Sequence, residues 1–272
     1  MAAEVGTARV DQPAAGGSPA PPALLFRNLS KTFGGQRALD KVSLRVERGE
    51  VHGLLGQNGS GKSTLIKVLA GFHEPDPGSE LAIDGREVPL PLAPGRFREL
   101  GISFVHQNLG LIPALTVIEN LLIGRLATSA HWRLDWRRER VQAAALFERY
   151  GIGLDPAVEV AKLSPVQRAL LAIVRAVSDL DQRAHGGGLL VLDEPTPFLP
   201  RHDVDQLFAV IRRVVAHGAS VIFVSHDVDE VLEITDRATV LRDGRVAGTL
   251  VTRQSAKEQF VEMIVGRRLE VL

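Results

Sequence analysis

The chain has 272 residues, with 32 basic and 32 acidic side chains and no cysteine. That length can bury one substantial core, and the balanced charge asks for neither nucleic acid nor an acidic lipid surface as a partner. The lack of cysteine excludes disulfides and thiolate-held metals and fits a reducing compartment, and no apolar run is long enough to span a bilayer.

Residues 1–23, with the run Gly16-Gly17-Ser18-Pro19-Ala20-Pro21-Pro22, lack the basic start and apolar centre of a signal peptide and are expected to form a disordered tail. From Leu24 to Val46 the pattern is short and strand-like: Leu24-Leu25-Phe26, a turn at Gly34-Gly35, then Val42, Leu44 and Val46 alternating with polar residues. Leu81-Ala82-Ile83 followed by Asp84-Gly85 repeats the signal, and together these segments predict a small antiparallel layer. Phe33 stands just before the first turn, where an aromatic ring can stack on a purine. Ordinary packing is an equal reading of it.

The stretch Gly56-Gln57-Asn58-Gly59-Ser60-Gly61-Lys62-Ser63-Thr64 fits G-x-x-x-x-G-K-[ST]. A strand is predicted before it at Val51–Leu55 and a helix after it, carrying Leu65, Val68, Leu69 and Phe72 on one face and stopping near Gly71. Such a turn points backbone N–H groups at an anion, and the helix start adds partial positive charge. In that setting Lys62 reaches the outer phosphates and the Ser63 hydroxyl holds Mg2+.

Three further apolar runs end abruptly in polar residues: Ile102–Val105 before His106-Gln107, Leu189–Leu192 before Asp193-Glu194, and Val221–Val224 before Ser225-His226-Asp227. Strands apolar on both faces belong to a covered parallel sheet, whose ligands bind beyond the carboxyl ends. Asp193 is then placed to bind Mg2+, Glu194 to orient or deprotonate an attacking water, Gln107 to bond both metal and water, and His226 to donate to the terminal phosphate. Singly, each has a plainer reading as a loop residue or helix cap. Together, beside a phosphate loop, they read as one catalytic set.

Between Asn108 and Leu180 the periodicity turns helical, predicting an inserted helical lobe over about 108–180. Thr116-Val117-Ile118-Glu119 is a capping-box pattern opening an apolar run to Ile123, and Arg137 to Tyr150 reads as an amphipathic helix. In Leu163-Ser164-Pro165-Val166-Gln167, Ser164 suits an N-cap and Pro165 the first helical position. On local grounds this is a structural cap. Asp243-Gly244 predicts a hairpin between Ala238 and Val246, and Lys257–Val265 a closing helix. The basic pairs Arg137-Arg138 and Arg267-Arg268 read as solvated faces.

These motifs, in this order, resemble the ATP-binding subunit of an ABC transporter, and the resemblance runs from Leu24 to Arg268. It implies an α/β fold: a phosphate-loop NTPase core with a mainly parallel sheet, a small antiparallel β layer and an inserted helical lobe. Phe33 falls at the family's adenine-stacking aromatic, Gly56–Thr64 at Walker A and Gln107 at the Q-loop. Leu163–Gln167 falls at the L-S-G-G-Q signature, Leu189–Glu194 at Walker B and His226 at the switch histidine.

Gly101–Gln107, Leu115–Asn120 and the non-glycine signature are similar to the monosaccharide importers, which often carry two such domains in one chain. The resemblance thus implies ATP hydrolysis with Mg2+ that drives import of a solute, a sugar, through a transmembrane permease and a solute-binding protein. It places the subunit in the cytoplasm on the inner face of the cell membrane. No second phosphate loop follows in this sequence, so pairing with a second ATP-binding domain is expected, as homodimer or heterodimer, with Ser164 contacting the ATP held by the partner.

Two departures bear on activity. Pro165 and Val166 replace signature glycines, removing one N–H and restricting close approach, and Pro197-Phe198-Leu199-Pro200 replaces the D-loop pattern. They leave open an ATP-binding clamp that hydrolyses weakly, and a non-transport ABC ATPase is the other alternative to the transport reading, although the basic extensions or coiled coil it predicts are not seen here.

Overall fold

The computed structural model describes residues 20–126, 135–181, 187–197 and 199–266. Two sheets form its frame. The first is antiparallel, in the order β2-β1-β4-β5, from β1 (Leu24–Phe33), β2 (Gln36–Val46), β4 (Glu80–Ile83) and β5 (Arg86–Val88). The second has six strands in the order β10-β9-β3-β8-β7-β6, from β3 (Val51–Leu55), β6 (Ile102–Val105), β7 (Gly188–Asp193), β8 (Ala219–Ser225), β9 (Arg237–Arg242) and β10 (Arg245–Val251). All its neighbours run parallel except β9 and β10, the predicted Asp-Gly hairpin.

The parallel strands are buried on both faces, as their unbroken apolar runs require. Leu55, Val105, Leu190, Leu192, Val221 and Phe223 face one apolar core; Leu54, Ile102, Leu189, Val191, Ile222 and Val224 face another. Helix α1 (Lys62–Leu69) lies in the second core, between the two sheets, with Leu65, Ile66, Val68 and Leu69 buried. On the other face pack α2 (Val117–Leu126), α3 (Trp136–Tyr150), α4 (Pro165–Asp181), α5 (Arg201–Ala216), α6 (Val228–Ile234) and α7 (Lys257–Val265). Residues of α2, α3 and α4 share this one apolar core with strands β6 to β8.

Two boundaries differ from the sequence reading. Helix α1 ends at Leu69, and Phe72 is 65% exposed rather than part of its apolar face. A Schellman ending stops the helix: Phe72 N–H donates to the Lys67 carbonyl at 2.8 Å and Gly71 N–H to that of Val68 at 3.0 Å. Pro21 to Ala23, assigned to the tail, lie against the β4–β5 turn, where Asp84 N–H donates to the Ala23 carbonyl and Arg48 Nε to that of Pro21. The rest of the predicted tail through Pro19, as well as Arg267-Arg268, lies outside the described residues.

The register sets the site. Leu55 of β3 pairs with Ser225 of β8, Val224 of β8 with Asp193 of β7, and Leu192 of β7 with Val105 of β6. Four carboxyl ends therefore finish flush along one edge.

Candidate functional site

The loop from Gly56 to Gly61 is pressed against the body on one side and open on the other. A Cβ at Gly56 would fall on the Leu241 carbonyl and the Ser60 hydroxyl, and one at Gly61 would stand 2.7 Å from Leu39 and 2.9 Å from the Ala38 carbonyl, whereas one at Gly59 would meet nothing within 4 Å. Gly61 is the N-cap of α1 and brings no side chain to it. The N–H groups of the first turn are left for an anion.

Lys62 is 5% exposed, and its Nζ donates to the carbonyls of Gly56 at 2.6 Å and Gln57 at 3.2 Å. Burial lowers its pKa, against the pull of Glu194 and Asp193. Ser60 Oγ is buried with no hydrogen-bond partner among the described residues. A buried ammonium curled onto its own loop, an orphaned hydroxyl and an uncapped helix start fit a chain of phosphates. Gln57, Asn58, Gly59 and Ser63 are exposed at the mouth, and Thr64 is half-buried.

Beside the loop stand the two carboxylates. Glu194 adopts φ +49°, uncommon for a non-glycine residue, and its N–H donates to the Val224 carbonyl at 3.0 Å. That backbone breaks the strand alternation after Asp193, so the two acids need not share one geometry. Burial raises the Asp193 pKa and the Glu194 charge adds to it, while His106 and Lys62 pull it down. His226 Nδ1 lies 3.4 Å from Glu194 Oε1, with the His226 side chain 62% exposed. Gln107 is exposed just past β6, beyond a parallel stack of the Phe104 and His106 rings 5.6 Å apart.

No group of three His, Cys, Asp or Glu side chains able to hold a metal occurs among the described residues. The Ser63 hydroxyl, Gln107 amide and Asp193 carboxylate are nevertheless the donor set that suits Mg2+, which uses one or two carboxylates and completes its shell with phosphate oxygens and water.

Phe33 and Ser164 stand apart from this group. Phe33 is 42% exposed, so it is no core residue; His73 meets it edge-on at 5.0 Å and Lys31 Nζ lies 4.9 Å from its ring centre. At the start of α4, Ser164 N–H donates to Gln167 Oε1 at 2.9 Å and Gln167 N–H donates to Ser164 Oγ at 3.3 Å, a reciprocal cap. Val166 is 5% exposed and belongs to the main core, so its side chain is turned inward. The restriction on close approach expected of it does not arise from that side chain. Of Pro197-Phe198-Leu199-Pro200, Leu199 packs on the core, Pro200 caps α5 and Phe198 lies outside the described residues.

Residues 39–197, over half of the chain, match the family model described as ABC transporter. The chain belongs to the ABC transporter family. Among relatives of this ABC domain, the ribose import ATP-binding protein RbsA 1 of Rubrobacter xylanophilus is 43% identical over 249 residues, covering 92% of this chain and 48% of that protein. A Burkholderia lata protein named for ribose, galactose and methyl galactoside import is 39% identical over 282 residues, covering 97% of this chain and 52% of that protein. The chain thus spans about half the length of the curated relatives it matches. The ADP conformation of an ATP-binding cassette of an ABC transporter superposes with a TM-score of 0.77 at 25% identity, covering 90% of this chain and 99% of that one. A nucleotide-free cassette gives 0.74 at 25% identity, covering 90% and 95%.

The ABC domain also holds contacts between distant segments that no local motif marks. One carboxylate oxygen of Glu230, on α6, accepts from Thr196 Oγ1 at 2.8 Å and Ser225 Oγ at 2.9 Å, tying the segment after Glu194 to the one before His226. Burial raises the Glu230 pKa. Its place four residues after His226 was a local signal, but Thr196 is thirty-four residues away. His106, whose charge lowers the Asp193 pKa, acts across two strands that no local spacing links.

Proposed function

We propose that this domain binds ATP with Mg2+ and hydrolyses it to power import of a sugar. It works in a pair with a second ATP-binding domain, on the inner face of the cell membrane, with a transmembrane permease and a solute-binding protein. The observation that carries hydrolysis is the flush edge of β3, β8, β7 and β6, which gathers Lys62, Asp193, Glu194 and His226. The sugar rests on relatives named for ribose and galactose import.

In this reading Lys62 exchanges its own loop carbonyls for the outer phosphates, with the amides of Gly61 to Thr64 around them. Ser63, Asp193 and Gln107 would hold Mg2+, which would supply charge neutralisation to the phosphates. Glu194 accepts the proton of an attacking water, and His226, with Nδ1 toward Glu194, offers its other ring nitrogen to the terminal phosphate. Phe33 supplies the stacking surface for the base.

The ATP-binding clamp is the second reading. It draws support from the start of α4, where Ser164 and Gln167 engage each other and Pro165 has no N–H. Turnover separates the two. Glu194→Gln is expected to slow permease-stimulated ATP hydrolysis by ~10²-fold or more while ATP still binds, because the amide keeps the shape and cannot accept the proton. Wild-type turnover in that variant would remove Glu194 from the role of base.

A further inference from the structure

The tip of the β9–β10 hairpin touches the phosphate loop from behind. Gly244 N–H donates to the Ser60 carbonyl at 3.1 Å. A trans peptide holds its C=O and N–H in opposite directions, so anchoring the Ser60 carbonyl on the hairpin turns the Gly61 N–H away from it, toward the open side of the loop. The tip is in turn held by Asp40 of β2. Asp40 N–H donates to the Gly244 carbonyl at 2.8 Å, and the Asp40 carboxylate accepts from Arg245 Nε at 2.7 Å and Arg37 at 2.8 Å. The fit is close. A Cβ at Gly244, where φ is +74°, would stand 2.7 Å from the Ala38 carbonyl.

We propose that Asp40, Arg245 and Gly244 form a positioning clamp that fixes the Ser60–Gly61 peptide of the phosphate loop, so that the Gly61 N–H is aimed at the bound phosphates before ligand arrives. The clamp rests on the phosphate-binding reading of the loop and adds what presets its geometry. Three separate chain segments take part: Asp40 on the antiparallel sheet, the hairpin on the far edge of the parallel one, and the loop between them. Asp40 is 12% exposed on its side chain, and the Arg245 hydrogen bond, working against burial, holds its carboxyl below the usual range. It is therefore charged at neutral pH.

The test is calorimetric titration of the full chain with Mg-ATP and, separately, with magnesium tripolyphosphate, which has no base or sugar. Asp40→Ala and Arg245→Ala should each weaken both ligands by the same factor, about threefold to tenfold, the scale of one lost hydrogen bond. The double variant should be little worse than the weaker single one, since both act through one clamp. Gly244→Ala should weaken both ligands at least as much. If that variant fails to fold, the two more exposed changes decide the matter.

A direct readout is the Gly61 amide resonance, whose shift on adding tripolyphosphate should shrink in Asp40→Ala. Lys62→Ala serves as the reference. If Lys62→Ala loses both ligands while Asp40→Ala and Arg245→Ala keep wild-type affinity and change only the melting temperature, the clamp is merely structural and the inference falls, with the phosphate site intact. If Lys62→Ala also keeps wild-type affinity, the phosphate-site reading itself fails and takes the clamp with it.

Discussion

Two helices of this domain, α1 and α4, present their amino ends in contrasting ways. At α1 the N-cap is Gly61, which has no side chain to offer, and the first helical bond runs from Leu65 N–H to the Gly61 carbonyl. The amides of Lys62, Ser63 and Thr64 are left to a ligand. At α4 the N-cap is Ser164, its hydroxyl takes the Gln167 N–H, Gln167 returns a bond to the Ser164 N–H, and Pro165 has no N–H at all. Only the Val166 amide is left among the first three.

A helix start becomes a strong anion site when its sequence withholds the cap. One that caps itself keeps little more than a hydroxyl proton and one amide for any ligand. The same contrast explains the burial pattern: α1 sits between two sheets with its open end at the flush strand edge, whereas α4 puts Val166 into the core and stands on its own cap.

Changes at the opposite end of the sheet should sharpen this contrast, by moving stability without touching the phosphates. Glu50, before β3, accepts from His52 Nδ1 at 3.0 Å and from Arg237 Nε at 3.0 Å, and His52 Nε2 meets Thr239 Oγ1 at 2.9 Å. Burial pushes the Glu50 pKa up, but the bonds from His52, Arg237 and the Glu47 amide outweigh it and lower the value from 4.5 to about 2. A depressed acid contributes stability that is complete above its ordinary pKa of 4.5 and is lost as pH falls toward about 2. Urea midpoints should therefore decline below pH 4.5. Glu50→Gln should cost about 3 kcal/mol at neutral pH and flatten that decline, with ATP affinity unchanged. A decline of equal slope in the variant would assign the acid sensitivity to other groups.

Much of this arrangement is legible in sequence because it depends on local pattern. The four parallel strands show as apolar runs, the hairpins as Asp84-Gly85 and Asp243-Gly244, and the closing helix matches Lys257–Val265 at both ends. Helix α5 shows the same 3.6 periodicity through Val204, Leu207, Phe208, Ile211 and Val214. What stayed hidden depends on contacts between distant segments. Asp40 reaches Arg245 across 205 positions and Glu50 reaches Arg237 across 187, and no local spacing announces either. The exposure of Phe72 was hidden for a different reason: it continues the helical period, but the left-handed turn at Gly71 ends the helix first.

If Phe33 is the proposed stacking surface for the base, Phe33→Ala should weaken ATP by about 1–3 kcal/mol, the scale of losing one stacking platform. Magnesium tripolyphosphate should bind as before, and an equal loss for it would make Phe33 a packing residue for the loop. The smallest change belongs to α4. Ser164→Ala should lower stability by about 1 kcal/mol through the lost cap and leave ATP binding to a single domain unaltered. Pro165→Gly alone, which returns the missing N–H and leaves the buried Val166 in place, should raise turnover by at most about tenfold, since about one hydrogen bond is regained in the transition state. A larger gain would show that the closed start limits hydrolysis, as the clamp reading requires.

The contrast between the two helix starts is tested most directly by titrating Mg-ATP into Lys62→Ala and Ser164→Ala side by side, at concentrations where the domain is monomeric. In the proposed site the buried Lys62 charge faces the phosphates, so its loss should weaken ATP on the order of a hundredfold, while Ser164→Ala binds as the wild type does. Wild-type affinity in Lys62→Ala, or equal losses in the two variants, would contradict the assignment of the open start of α1 as the phosphate site.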